Sequence, residues 1–467
     1  MSLNNGAASL DRQTTADGVE RLEREDMAAG PGETDALGTR WDRIALGSIL
    51  LGLVVRAVWG LVLHPPVDFI YSDMGGYVGR AQELAVGEGL ERYDAFWPPG
   101  THLLLAVPFK VFGPDQAGLW AAAVLWTALS GLTPFFAWRL ARILLGPAAA
   151  ALAAAFCAFS PLFITYGGYF SSETPALAFL LGALWLGYRA RAAFGRAALA
   201  LGLLGGLLGG VAIANRPQFL LNVAILVLPA LLHWRRQVLA LTGIALGTGV
   251  VLASVLGYNS AAAGRLTGLS ENSGMNFWMG HCDVRSVQMV IPSANSEFQF
   301  SLPVSNQLNR GEASYWEGIW PWDQAFFYDR ALECIGEDGL GHMRLIARHV
   351  LDMTVTTVPW PQSAQGERDL AQLGNLMYCV LLPWIVIESL FLIRRCGAGM
   401  RSGEAVMLAH LMSAVVVAVL YFGDPRFRSS YDVFGWALLA ALIVDRWDHR
   451  RSERVLVTDP DRKSPPH

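Results

Sequence analysis

The sequence predicts an all-α polytopic membrane protein, a bundle of about ten transmembrane helices with surface amphipathic helices and one long extracytoplasmic loop. Three observations carry this. Of 467 residues, 53% are hydrophobic and only 16% charged, with a mean hydropathy of +0.36, outside the balance of a soluble domain of this size. Apolar runs of about 20 residues recur, each long enough to cross the hydrocarbon layer as a helix, while the strand-length alternation of a barrel is missing. Finally, arginines collect in alternate loops, as the positive-inside rule requires.

Residues 1–40 are rich in Gly, Ala, Thr and acidic side chains and lack the apolar stretch of a signal peptide. They read as a disordered cytoplasmic tail. A transmembrane core is expected over 41–257, beginning with a span from Ile44 to Leu63. Its first outer loop, 64–116, holds Met74, Tyr77, Val78, Ala81 and Leu84 at helical spacing, the pattern of an amphipathic helix on the membrane surface. After the turn Trp97-Pro98-Pro99-Gly100, the apolar stretch Leu103 to Phe112 is too short to span and reads as a second surface helix. Further spans are expected over Ala117–Leu145, Ala148–Tyr166, Thr174–Tyr188, Ala197–Ala214, Phe219–Leu232 and Leu239–Leu256. Residues 258–370 are polar and carry Trp278, Trp316, Trp320, Trp322 and Trp360, hence an extracytoplasmic loop or small domain. Within 371–447, spans at Leu373–Ile393, Ala405–Phe422 and Val433–Val444 close the core, and 448–467 form a second cytoplasmic tail.

One set of loops contains Arg139, Arg142, Arg189, Arg191, Arg196, Arg235, Arg236, Arg394, Arg395, Arg401, Arg446, Arg450 and Arg451. These face the cytoplasm, and both termini with them. The opposite face then gathers Asp73, Glu173, Arg216, the Trp-rich segment and Gly423-Asp424-Pro425-Arg426-Phe427-Arg428. A formal net charge of -4 leaves no basic footprint for nucleic acid. Cys157, Cys379 and Cys396 read as apolar fillers. Cys282 and Cys334 share the outer segment, where a disulfide is chemically available but spacing leaves the connectivity open.

Several outer-face residues have both a plain and a chemical reading. Asp73, in Tyr71-Ser72-Asp73-Met74, suits an N-cap; it equally suits a general base at the membrane surface. Asp68 is its rival five residues earlier. Glu173, in Ser171-Ser172-Glu173-Thr174-Pro175, is a first-turn carboxylate favoured by the helix dipole, or a second acidic group that orients an acceptor or holds a divalent metal. Arg216 either snorkels to headgroups or pairs with a phosphate through two parallel hydrogen bonds. Arg426 and Arg428 either clamp a lipid phosphate or pair with Asp424. His281, Cys282 and Asp283 lack a recognisable metal-ligand spacing.

The succession Tyr71-Ser72-Asp73, Trp97-Pro98-Pro99-Gly100-Thr101-His102, Ser172-Glu173-Thr174-Pro175 and Gly423-Asp424-Pro425-Arg426-Phe427-Arg428 resembles the GT-C glycosyltransferases that use polyprenyl-phosphate sugars. Closest in look are bacterial relatives of protein mannosyltransferases, lipid A aminoarabinose transferases and Rgt-type galacturonosyltransferases. The resemblance runs from about Ile44 to Val444. It implies a GT-C-like bundle in a bacterial inner membrane, Asp73 as catalytic base, and Glu173, Arg216, Arg426 and Arg428 as substrate-binding residues; Tyr77, His102 and His281 are expected to bind substrate beside them, the part His281 plays staying open. Asn276-Phe277-Trp278-Met279-Gly280-His281 is similar to a stretch in which Asn is commoner at the position of His281. The implied reaction is an inverting transfer of a sugar from a polyprenyl-phosphate donor to a hydroxyl of a lipid, glycan or protein acceptor on the extracytoplasmic face. No cofactor is implied beyond the divalent metal left open at Glu173. The alternatives are a transporter or flippase for a lipid-linked glycan, which would carry broken helices or charges near the midplane, and a non-catalytic glycolipid-binding subunit.

Overall fold

The computed structural model describes residues 31–231, 234–284, 286–292, 297–303, 313–354, 365–400 and 402–458. Expectations for 1–30, 459–467 and Trp360 lie outside the described residues.

The first helix, α1 (Pro31–Val58), runs on through a π-turn at Trp59–Leu63; residues 31–40, expected as part of the tail, are helical. Then come α2 (Asp73–Val86), α3 (Gly100–Phe112), α4 (Gln116–Leu145), α5 (Pro147–Phe159), α6 (Pro161–Gly167), α7 (Glu173–Ala192), α8 (Gly195–Asn215), α9 (Leu220–Leu231) and α10 (Trp234–Ala263). The polar segment opens with α11 (Ser273–His281), continues through β1 (Ser286–Pro292), β2 (Glu297–Pro303) and β3 (Ala313–Glu317), and ends with α12 (Gln324–Glu337) and α13 (Gly339–Asp352). Closing the chain are α14 (Gln365–Met400), α15 (Ser402–Leu420), the short α16 (Pro425–Ser429) and α17 (Asp432–Thr458).

Every expected span falls on a helix. Among the described residues six helices are long and apolar enough to cross a membrane individually, and the pair α5 and α6, bent by 52°, makes a seventh if taken as one span. The remainder are shorter or carry charge at their ends, as α7 does with Glu173 first and Arg189 and Arg191 in its last turn. Helices α8 and α10 approach backbone to backbone: a Cβ on Gly206 would run into the carbonyl oxygen of Ile244. Such contact supplies the packing that hydrophobicity cannot supply in lipid.

The bend between α5 and α6 explains a buried charge in the middle of the first expected span. Pro161 has no N–H to give the carbonyl of Cys157. Arg56 of α1, only 1% exposed, supplies the missing donors: its guanidinium bonds to Cys157 O (2.8 Å), Ala158 O (2.5 Å), Gly52 O (3.2 Å) and Ser130 Oγ (3.0 Å). The broken helix and the buried arginine thus satisfy each other.

In the polar segment a three-stranded sheet of order β2-β1-β3 pairs β1 antiparallel to β2 and parallel to β3. Cys282 and Cys334 form a disulfide with Cα atoms 5.5 Å apart, tying the end of α11 to α12. Phe96, Trp278, Met289, Trp322 and Phe327 pack together there, so the first outer loop and the polar segment share one apolar core. Glu271, fully buried, pairs with Arg92 at 3.2 Å and Arg265 at 2.7 Å, and its N–H donates to Ala95 O at 2.6 Å.

Arg56→Leu should destabilise the protein by roughly 2–6 kcal/mol, from about 1–3 kcal/mol for each orphaned carbonyl of α5. Thermal unfolding of the detergent-purified protein checks this; an unchanged midpoint would show that the break does not depend on Arg56.

Candidate active site

Four helix ends converge on one face. Asp73 is the first residue of α2, and Ser72 before it has φ 52°. No other non-glycine among the described residues has a positive φ. A side chain in this region costs on the order of 1–3 kcal/mol, so the turn that aims Asp73 is held by its surroundings. The expected N-cap role of Asp73 is not what forms: it lies inside the helix, and its carboxylate turns to another segment. Glu173 opens α7 with the positive end of the helix dipole behind it. Arg216 follows the last residue of α8, where Thr101 Oγ1 at the start of α3 donates to Asn215 Oδ1 at 2.9 Å. Arg426 is the second residue of α16, whose N-cap Asp424 accepts from the Arg426 N–H at 2.7 Å. Gly423 is required by closeness: a Cβ there would collide with the carbonyl oxygen of His349.

The side chains form one chain of ion pairs. Arg426 Nη1 donates to Asp73 Oδ2 at 3.0 Å, and Arg426 Nε donates to Glu173 Oε1. The same Oε1 lies 2.5 Å from Arg216 Nη1, whose guanidinium sits 5.2 Å over the ring of Phe427. Two carboxylates and two guanidiniums leave the group neutral. Exposure is graded: Asp73 (24%) and Arg426 (16%) reach solvent, Glu173 (3%) and Arg216 (4%) do not. Burial opposes the charge on Arg426, but Glu173 and Asp73 outweigh it and hold the guanidinium well above its usual range. Tyr77, one turn beyond Asp73, is buried beside the group; burial and then Asp73 push its phenol up, so it remains a neutral O–H. Glu173 Oε2 has no hydrogen-bond partner among the described residues. A cavity of about 20 Å³ beside Glu173, lined also by Tyr166, Thr174, Ser429 and Ser430, has room for one water.

Other candidates stand apart from the chain. Arg428 is fully buried and spent on structure: it donates to Asp432 Oδ1 and Oδ2 (2.9 and 3.1 Å), Asn375 Oδ1 (2.5 Å) and Met353 O (2.6 Å), joining α16 to α13, α14 and α17. A ring nitrogen of His102 lies 3.2 Å from the Tyr258 hydroxyl, and burial pushes its pKa down to about 3. His281 lies 3.2 Å from Leu420 O and stacks near Phe277 and His342; burial and then His342 push its pKa down. Asp68 is exposed and makes no ion pair among the described residues. Sequence reasoning passed over Arg80, which is 6% exposed and pairs with Asp94 and Glu83. Its position on the apolar stripe of α2, between Tyr77 and Leu84, was the available signal.

The option of a metal at Glu173 does not fit these residues. Among the described residues no three His, Cys, Asp or Glu side chains come together, and the cation between Asp73 and Glu173 is the guanidinium of Arg426.

The helical bundle, with its ion-paired side chains at the helix ends, is GT-C-like in fold. The family described as dolichyl-phosphate-mannose-protein mannosyltransferase matches residues 97–258. That stretch includes Glu173 and Arg216. Among solved structures, the chain is similar to the oligosaccharyltransferase AglB of Archaeoglobus fulgidus in complex with an inhibitory peptide and a dolichol-phosphate, at 11% identity and a TM-score of 0.51, over 91% of this chain and 52% of that one. The apo form of the Archaeoglobus fulgidus enzyme gives 11% identity, a TM-score of 0.50, and coverage of 90% and 52%. The chain thus spans about half the length of the oligosaccharyltransferase whose fold it shares. ArnT from Cupriavidus metallidurans in the apo state is 17% identical over 86% of this chain and 77% of that one, with a TM-score of 0.38; the fold assignment rests on the archaeal enzyme. No curated protein sequence matches the chain.

Glu173→Gln should cost about 3–5 kcal/mol, because it strands the buried Arg216 and weakens the hold on Arg426. Asp73→Asn, at the exposed end, should cost no more than about 1 kcal/mol. Unfolding of both variants in detergent checks the contrast, and equal losses would refute the graded burial.

A second expectation concerns acid. Burial pushes the pKa of His281 down and that of His349 down to about 4, while an unfolded histidine titrates at about 6.5. The unfolded chain therefore binds more protons below about pH 6.5, and stability should fall as pH drops from 7 to 5. A midpoint unchanged over that interval would contradict the burial of these rings.

Proposed function

We propose that this protein is a membrane glycosyltransferase that moves a sugar from a polyprenyl-phosphate donor to a hydroxyl acceptor, with the reacting groups at Asp73 and Arg426. The observation that carries the reading is the ion-pair chain itself. A guanidinium that reaches solvent, a second one behind it and a carboxylate at the open end are what the reaction asks for. In the transfer the bond between the anomeric carbon and the phosphate oxygen breaks as the acceptor oxygen bonds that carbon. The acceptor proton passes to Asp73. Negative charge leaves the carboxylate and appears on the lipid phosphate, and Arg426 is within reach of both ends of that displacement.

Stabilisation of the leaving phosphate by Arg426, backed by Arg216, is the kind of preorganised electrostatics that dominates many catalysed reactions. Glu173 acts as a positioning residue: through one oxygen it holds both guanidiniums in place. Attack on the face opposite the phosphate, with no nucleophile of the protein's own, makes the transfer inverting. Tyr77, capped by the ring of Trp97 at 5.6 Å, offers a neutral donor to a sugar hydroxyl.

Three further observations support the reading. The match over 97–258 is to mannosyltransferases that take a dolichyl-phosphate donor. The archaeal neighbour has been seen with a dolichol-phosphate. Arginines concentrate in the alternate loops, which favours an extracytoplasmic site with both termini in the cytoplasm.

Asp73→Asn should lower transfer by about 10²–10⁴-fold, and Arg426→Gln by about 10²–10³-fold, at matched folding. Transfer of radiolabelled sugar from a panel of polyprenyl-phosphate donors in membranes tests this. Asp73→Asn transferring as fast as the parent protein would remove Asp73 as the base.

A further inference from the structure

We infer that Arg426 is a latch on the base, so that binding of the donor's phosphate is what releases Asp73 for proton transfer. The inference rests on the transfer reading above and adds an order to it. Asp73 Oδ2 accepts from Arg426 Nη1 at 3.0 Å, so in the resting protein the carboxylate that should take a proton is neutralised by the guanidinium that should hold the phosphate. One cation cannot give its best geometry to both.

Charge bookkeeping gives the direction of the exchange. At rest Asp73, Glu173, Arg426 and Arg216 sum to zero. A donor phosphodiester brings one negative charge, and the exposed member of the arginine pair is the one it meets first. Glu173 is 3% exposed and shared by both guanidiniums, so it stays paired with Arg216 while Arg426 turns. Asp73, 24% exposed, is the partner most easily given up, because water can replace the lost hydrogen bond. Freed of its counter-ion, the carboxylate becomes a stronger proton acceptor just when a sugar is in place to be attacked. After transfer the proton sits on Asp73 and the phosphate carries the added negative charge. A protonated Asp73 no longer competes for Arg426, so the charge distribution favours the spent lipid phosphate until the proton leaves.

If phosphate and Asp73 compete for Arg426, removing the carboxylate's charge must tighten phosphate binding, and must do so only through Arg426. The experiment measures the Kd of a short-chain polyprenyl phosphate for the full-length protein in detergent, in a double-mutant cycle of Asp73→Asn and Arg426→Gln. Monodispersity confirms that each variant is folded, and Arg426→Lys provides a second variant at that position. The expected result is a Kd three- to tenfold lower in Asp73→Asn than in the parent protein, with no such gain when Arg426 is already Gln. No tightening would overturn the latch, as would the same gain in both backgrounds, since simple charge repulsion would then explain it. Either of those results leaves the transfer reading standing. A parent protein that binds no polyprenyl phosphate would overturn that reading and the latch with it.

Discussion

Glu173 and Arg216, buried where four helix ends meet, remain charged only if each keeps a counter-ion, and Asp73 with Arg426 continues that chain to its open end. A lone buried charge costs several kcal/mol, so the ends of α2, α7, α8 and α16 have to arrive together. The surrounding structure serves that requirement. Thr101 and Asn215 bind the start of α3 to the end of α8, Asp424 caps α16, and Arg428 fixes α16 to three neighbouring helices through Asp432, Asn375 and Met353. The two arginines of one short motif thereby divide their labour, the first facing the site and the second holding the segment that carries it.

The graded exposure along the ion-pair chain gives it a buried root and an open end. Glu173 and Arg216 form its buried root, whose integrity the fold needs. Asp73 and Arg426 form its open end, where an incoming phosphate can compete for a partner. Above them, the first outer loop is not free to wander: Glu271 clasps Arg92, and Phe96 is embedded in the aromatic core of the polar domain. The surface that presents Asp73 is therefore coupled to the polar segment.

Much of this was legible in the sequence, and the reasons for the rest are physical. Apolar runs located the helices, six of which are long and apolar enough among the described residues to cross a membrane, and the sorting of arginines grouped Asp73, Glu173, Arg216 and Arg426 before any contact was visible. Short-range readings fared differently. The periodicity of α2 gave its apolar stripe but not the left-handed turn at Ser72, which removes Asp73 from the capping position. Arg426 and Arg428, two residues apart, were indistinguishable until the direction of α16 was known. His102 and His281 have the residue type of substrate ligands, and one ring nitrogen of each already lies beside a neighbour, Tyr258 or the Leu420 carbonyl, contacts that no spacing in the sequence announces. Arg56 escaped notice because its partners are backbone carbonyls exposed by a break at Pro161, a circumstance that exists only in the folded chain.

A cryo-EM structure of the protein with a polyprenyl phosphate bound would test the central claim most directly. The phosphate should lie within hydrogen-bond distance of the Arg426 guanidinium, with Arg216 still paired to Glu173 and Asp73 parted from Arg426. A phosphate bound elsewhere, with the Asp73–Arg426 pair intact, would contradict the account.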